Sequence, residues 1–325
     1  MTTADSATGS PPEKSTAGRV AIAQARRKKI ESAKEAEVAT AKAEALAQKY
    51  ADGQLALWSE AERGMPNELV RCAVFSAKNR KEPRVSYPSA TPLVLQLIGG
   101  GEIRYTGEEL RQDDETVWMQ LVHMAKETRA ESVTFTPYSL LKAINWPIKG
   151  DSYKRLLTSL RRLRANSLEV YSSRFDRGVS TSLIGEFEYS EKGESPWRVH
   201  VFSKENKLFL LFDKLYSRVE WETRLALPEG VATWLHSFLS SHKQPFPHKV
   251  ETLALGAGML LEAPEDLKLP PSELQAKRKK RLREARRTLT KALESLKSIG
   301  FLADFQVSRK GLVTVRRAGD NSPIL

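Results

Sequence analysis

Residues 272–300, SELQAKRKKRLREARRTLTKALESLKSIG, constrain this chain more than any other stretch. Leu282, Ala285, Leu289, Leu293 and Leu296 recur at steps of three and four, which puts them on one helical face. Lys280, Arg283, Arg287 and Lys291 fall on the opposite face. Between 272 and 299, ten Lys/Arg stand against three Glu, a net +7. Pro270 and Pro271 lead into Ser272 as N-cap, and Gly300 is a natural stop. One face of such a helix is built to bury and the other to meet a polyanion. A merely solvated charged face is the plain alternative. The next residues weigh against it, because FLADFQVSRKGLVTVRR reads as two strands around a Ser-Arg-Lys-Gly turn. That hairpin adds Arg309, Lys310, Arg316 and Arg317. A basic amphipathic helix followed by a basic-tipped hairpin is the pattern of a winged-helix DNA reader.

Composition agrees with a polyanionic partner. The 325 residues carry a formal net charge of +12, which suits nucleic acid or an anionic membrane surface. No apolar run approaches the roughly 18 residues of a spanning helix, so no membrane role is expected. The first residues lack the apolar core of a secretion signal, and a cytoplasmic location is expected. The one cysteine, Cys72, excludes an internal disulfide framework and a Cys-based zinc site.

Along the chain, residues 1–18 are rich in Ser, Thr, Ala, Gly and Pro and are expected to be disordered. Residues 19–49 are Ala-, Lys-, Glu- and Arg-rich, so a frayed solvated helix is expected. The tail as a whole spans 1–50, and a flexible segment follows at 51–66. Residues 65–87 carry no clear pattern, apart from a basic loop at 79–84, Asn-Arg-Lys-Glu-Pro-Arg. Strands are expected at 91–98 and 102–105 around the glycines at 99–101. A helix capped by Asp113 or Asp114 carries Val117, Trp118, Leu121 and Met124. A strand at 132–135 precedes a helix begun by Thr136 and Pro137. Asp151 is the expected cap of a helix at 152–165. Its Tyr153, Leu156, Leu157, Leu160 and Leu163 face one way, and its Lys154, Arg155, Arg161 and Arg162 another. Strands are expected at 168–175, 179–190, 197–202 and 207–212.

That element order recurs. A helix at 228–242, a strand at 248–250, a helix at 252–260, a linker at 262–271, the basic helix and its hairpin repeat it. The expected fold class is α+β: two tandem winged-helix domains, 67–216 and 217–325, behind the charged tail, with a seam at 216–224. Lys154, Arg155, Arg161, Arg162, Lys280, Arg283, Arg287, Lys291, Arg309 and Lys310 are the expected DNA-binding residues.

Chemistry is not indicated elsewhere. No phosphate-binding Gly-x-x-x-x-Gly-Lys-Ser/Thr loop is present. His123, His200, His236, His242 and His248 show no metal-ligand spacing. Asp113, Asp114 and Glu115 are read as acids at a helix N-terminus in preference to a Mg²⁺ site. Tyr171 and Tyr189 lack the histidine metal site a strand-nicking tyrosine needs. The chain is expected to be no enzyme and to hold no cofactor or metal.

Gln54-Leu55-Ala56-Leu57-Trp58 resembles the bacterial sliding-clamp-binding pentapeptide Gln-Leu-x-Leu-Phe, with Trp in the last place. Gln54, Leu55, Leu57 and Trp58 are the expected contacts; packing of Leu57 and Trp58 on the first domain is the alternative. Together with GEELRQDDETVWMQLVHMAKE at 107–127 and SSHKQPFPHKVETLAL at 240–255, this motif resembles the TrfA-type initiator proteins of broad-host-range plasmids. The resemblance runs in matching order from about 54 to 315. It implies tandem winged helices on double-stranded origin DNA carrying direct repeats (iterons), and opening of an adjacent AT-rich region. It also implies recruitment of the host sliding clamp, replicative helicase and host initiator, in a bacterial, plasmid-associated setting, and it leaves self-dimerisation open. A winged-helix transcription regulator is the alternative function.

Overall fold

The computed structural model describes residues 34, 41, 58–98, 100–128, 131–171, 178–190, 195–202, 208–212, 216–243 and 245–319. Lys34 and Ala41 are helical and exposed; the rest of the expected tail lies outside the described residues. By contacts, Met1–Gln48 is one unit and Lys49–Leu325 another.

The first half of the larger unit runs β1 (Glu62–Pro66), α1 (Asn67–Val70), β2 (Phe75–Ser76), β3 (Ser86–Tyr87), β4 (Leu93–Gln96), β5 (Glu102–Glu108) and β6 (Leu110–Arg111). Then come α2 (Gln112–Thr128), β7 (Ser132–Phe135), α3 (Pro137–Ala143), α4 (Gly150–Arg164), β8 (Ser167–Tyr171), β9 (Val179–Thr181), β10 (Phe187–Glu188), β11 (Trp197–His200) and a 3-10 helix at Leu208–Phe212. β12 (Tyr216–Glu220) and α5 (Trp221–Ala226) lead to the second half. That half is α6 (Val231–Ser240), β13 (His248–Lys249), α7 (Val250–Gly256), a 3-10 helix at Pro264–Lys268, α8 (Pro271–Ser298), β14 (Leu302–Val307) and β15 (Leu312–Arg317).

The core is built on α2. Val117, Trp118, Met119, Leu121, Val122 and Ala125 are all fully buried. Thr116, Gln120 and His123 are buried on its remaining face, so the helix is enclosed on all sides. β5 pairs with β4 from Leu93↔Tyr105 to Gln96↔Glu102 and with β8 along its other edge. α3 starts as the sequence predicts: Thr136 Oγ1 accepts from Ser139 N at 3.1 Å, and Pro137 fills the first turn. α4 starts a residue before Asp151, with Lys149 as cap.

Each half contains one three-stranded sheet, and the two sheets share a strand order. In the first, β7 pairs antiparallel with β11, the returning arm of the β10–β11 hairpin. In the second, β13 pairs antiparallel with β15, the returning arm of the β14–β15 hairpin. Each short strand precedes a short helix and then a longer one: α3 and α4, or α7 and α8.

Three expectations are corrected. The strand expected at 207–212 is, over its described residues Leu208–Phe212, a 3-10 helix with Leu208 and Leu211 fully buried, because a short apolar run suits a buried helical turn as well as a strand. The expected strand 179–190 is broken between β9 and β10, where Leu183 and Ile184 turn into the core. Residues 58–66, expected to be flexible, end in β1, which pairs with β12 from Glu62↔Glu220 to Pro66↔Tyr216. The expected seam at 216–224 is therefore a strand and a helix inside the packed unit. Arg224, 1% exposed, bridges the halves: its guanidinium reaches Glu115 at 3.3 Å and donates to Ser237 Oγ at 2.9 Å.

Candidate nucleic-acid interface

Helix α8 divides its cations into two groups. Ala285, Leu289, Ala292, Leu293 and Leu296 are buried against the second half, while Leu282, the first of the expected series, is only half-buried. Lys280, Arg283, Arg287 and Lys291 are exposed on the opposite face. Among the described residues, no carboxylate pairs with these four. The cations on the flanks hold the helix in place. Arg281 is paired with Asp266, which also accepts from Lys277 at 3.2 Å and from Ala263 N at 2.8 Å. These hydrogen bonds, that of Arg281 first, bring the Asp266 carboxyl down to about 2. On the other flank, Arg286 donates to the carbonyls of Val307 at 3.1 Å and Ser308 at 2.9 Å. It thereby fastens the hairpin to the helix.

The hairpin tip is a tight turn. Gly311 N donates to Ser308 O at 2.9 Å, with Gly311 at φ +80°, a conformation glycine adopts without strain. Arg309 and Lys310 project from it, exposed. The stripe and the tip together form one basic surface on the second half.

The first half keeps only part of its expected set. Lys154 and Arg161 are exposed on α4, and Arg161 donates to the Tyr189 hydroxyl beside the β10–β11 hairpin at 3.0 Å. Arg155 and Arg162, also in the expected DNA-binding set, are held in ion pairs within the fold. Arg162 is 8% exposed and pairs with Asp114 at 2.8 Å. Arg155 pairs with Asp113 at 3.1 Å and Glu229 at 3.0 Å and lies 3.6 Å over the Trp146 ring. They sit where the apolar and polar faces of α4 meet, and the buried acids of α2 draw them inward.

Those acids organise the region. Arg84 reaches Asp114 at 2.7 Å and Asp113 at 3.0 Å, and Ser159 Oγ donates to Asp114 at 2.7 Å. Burial pushes the Asp113 carboxyl up, but Arg84 and then Arg155 outweigh it and hold it below its ordinary range. Asp113, Asp114 and Glu115 are each answered by an arginine. Among the described residues, no three His, Cys, Asp or Glu side chains are grouped to hold a metal ion. The sequence pattern misses Arg84, Arg111 and Arg224 as partners of buried acids, since an arginine in a loop, a two-residue strand or a six-residue helix carries too little periodicity to show which way it points.

Trp58 takes the packing alternative. It is 3% exposed, its ring lies 5.7 Å from Phe212 and 5.4 Å from Tyr216, and its Nε1 donates to His123 Nδ1 at 3.0 Å. Gln54, Leu55 and Leu57 lie outside the described residues. No described helix is long and apolar enough to cross a membrane.

The family model described as TrfA protein matches residues 14–266 of the chain, ending before α8. The plasmid replication initiator protein TrfA of Escherichia coli is 34% identical over 206 residues, 63% of this chain and 53% of that protein. The chain thus spans about half the length of this curated relative. Among solved structures, domains 2 and 3 of RctB align with a TM-score of 0.47 at 10% identity, over 78% of this chain and 98% of theirs. A second structure of RctB domains 2–3 aligns with a TM-score of 0.40 at 10% identity, over 56% of this chain and 73% of that one.

Proposed function

The chain belongs to the TrfA family, and from that premise we propose that it initiates plasmid replication by binding repeated DNA through two winged-helix units. The observation that carries this reading is the matched strand order of the two three-stranded sheets, joined to a basic stripe on α8 that has no acidic partner among the described residues. In each unit the longer helix enters a major groove and the hairpin is the wing. Arg283 and Arg287 have the planar donor fork that reads guanine O6 and N7, and Lys280, Lys291, Arg309 and Lys310 take phosphates. Lys154 and Arg161 are the corresponding contacts of α4.

Two unlike readers on one chain suit an asymmetric site bound by a monomer, and a series of such sites is a set of direct repeats. Melting of an AT-rich region and recruitment of helicase, host initiator and sliding clamp belong to the family reading. The clamp contact is assigned to Gln54, Leu55, Leu57 and Trp58. It requires the indole of Trp58 to leave its bed, so the docked and clamp-bound states exclude each other.

Selection of bound duplexes from a random library at about physiological salt tests the reading. An asymmetric motif bound by monomer, recurring as direct repeats beside the gene, is the expected result. A palindrome bound by a dimer would identify a transcription regulator instead.

A further inference from the structure

The basic loop at 79–84 lies outside the helices and wings of both units. We propose that it is a third DNA-contacting element, with Arg80 and Lys81 gripping backbone phosphates and Arg111 as its positioning residue. This rests on the duplex-binding reading.

Exposed loops ordinarily leave their carbonyls to water and move. This one is held from beneath by a single buried cation. Arg111, at the end of β6, is 1% exposed. Its guanidinium donates to the carbonyls of Asn79, Glu82 at 2.9 Å and Pro83 at 2.9 Å, and to Glu109 Oε2 at 2.8 Å. Within the loop, Asn79 Oδ1 accepts from Lys81 N at 3.0 Å and Asn79 O accepts from Glu82 N at 3.1 Å, which fixes the turn. Arg84 closes the far end on Asp113, Asp114 and the carbonyl of Glu109, the last at 2.6 Å. The backbone therefore faces inward and the side chains of Arg80 and Lys81 face out.

Both are exposed, and among the described residues neither has an acidic partner; Glu82 is the one exposed acid in the loop. A preorganised pair of cations loses little further freedom on meeting a phosphate, so its contact is not offset by the cost of ordering a loop.

The loop's position supplies the second argument. Arg84 shares Asp113 with Arg155 and Asp114 with Arg162, so the loop is bolted to one flank of α4, next to the face that carries Lys154 and Arg161. Its root is tied to the second half, because Ala77 N donates to Ala257 O at 2.9 Å, just after α7. Arg155 in turn reaches Glu229, ahead of α6. The loop is thus fastened to α4 on one side and, through its root, to the end of α7 on the other, and on the duplex-binding reading it would meet phosphates between the two grooves. Such contacts set register and orientation without reading bases.

The test uses the full chain, an R80A/K81A variant, and a duplex carrying the selected motif. The expected result is an unchanged Tm, an unchanged base preference, and a plot of log affinity against log salt shallower by about 1.8, roughly 0.9 for each phosphate no longer neutralised. Ethylation of phosphates between the two grooves should interfere with binding of the parent and not of the variant. Equal slopes and equal interference, with the parent binding specifically, would overturn the proposal alone. A parent with no specific, salt-steep binding would overturn the duplex reading and the loop's role with it. R111K separates positioning from folding: it should weaken binding in the parent and add nothing on the R80A/K81A background. An equal loss on both backgrounds would rule out the positioning role.

Discussion

The indole nitrogen of Trp58 and Nδ1 of His123 are joined by a hydrogen bond of 3.0 Å, and this bond fixes the last residue of the clamp-like motif inside the first half. Gly64 lies against the indole so closely that a Cβ there collides with the ring. Gly64→Ala should therefore expel Trp58, lowering Tm and shifting indole emission to the red. Each ~1.4 kcal/mol removed from the docked state should raise apparent clamp affinity about tenfold. Titration with purified clamp checks this. An indole that is released without any gain in clamp affinity would detach the motif from the clamp.

Arg161 and Arg162 are neighbours in sequence with opposite roles. Arg162→Ala takes one of two arginines from the buried Asp114 carboxyl, leaving Arg84, and should cost about 1–3 kcal/mol of stability. Arg161→Ala removes an exposed cation and should leave the unfolding midpoint nearly unchanged while weakening duplex binding. Urea unfolding and duplex titration on the two variants give a crossed pattern. The same pattern from both would erase the distinction.

In the sequence these two arginines look alike, and the reason is physical. Helical period separates an apolar face from a polar one but says nothing about the border between them. There a buried acid on another element decides the outcome, as Asp114 does for Arg162. Where the period is long and the ends are capped, the pattern is a sound guide. α8 and its hairpin fall within a residue or two of their expected limits, and the expected core face is buried from Ala285 onward, with Leu282 only half-buried. Thr136 and Pro137 announce α3. The segments that mislead are short. Residues 207–212 are apolar almost throughout and have no period to distinguish a strand from a 3-10 turn. Residues 62–66 form a strand only because β12, some 150 residues later, supplies a partner, and that pairing is invisible locally.

On α8 the stripe and the flank should also separate. Lys280→Ala/Lys291→Ala removes two exposed cations and should flatten the salt dependence of duplex binding by about 1.8 in log–log slope. Arg286→Lys keeps the charge but loses the fork that holds the carbonyls of Val307 and Ser308. It should free the wing, so that Arg309→Ala costs less affinity in its presence than in the parent. Additive losses would mean that Arg286 does not set the wing.

His236 gives the second half a dependence on pH whose sign can be worked out. The ring is fully buried, edge-on to Phe301 at 4.5 Å, and neither nitrogen has a hydrogen-bond partner among the described residues. Burial first, then Arg224 and Arg317, bring its pKa down to about 3. The folded chain thus binds fewer protons here than the unfolded chain, whose histidine titrates near 6.5. Stability from this group is full above about pH 6.5 and is lost as pH falls toward 3; by pH 5 the loss is about 2 kcal/mol. His236→Leu removes the titration and the unsatisfied nitrogens together. It should gain about 2 kcal/mol on the parent between pH 7.5 and pH 5, measured by urea unfolding at each pH. His123 and His248, whose pKa values burial also lowers, to about 4, stay in both proteins, so their contributions cancel in the comparison. Parallel pH profiles for the two proteins would mean that the buried ring is not what senses acid.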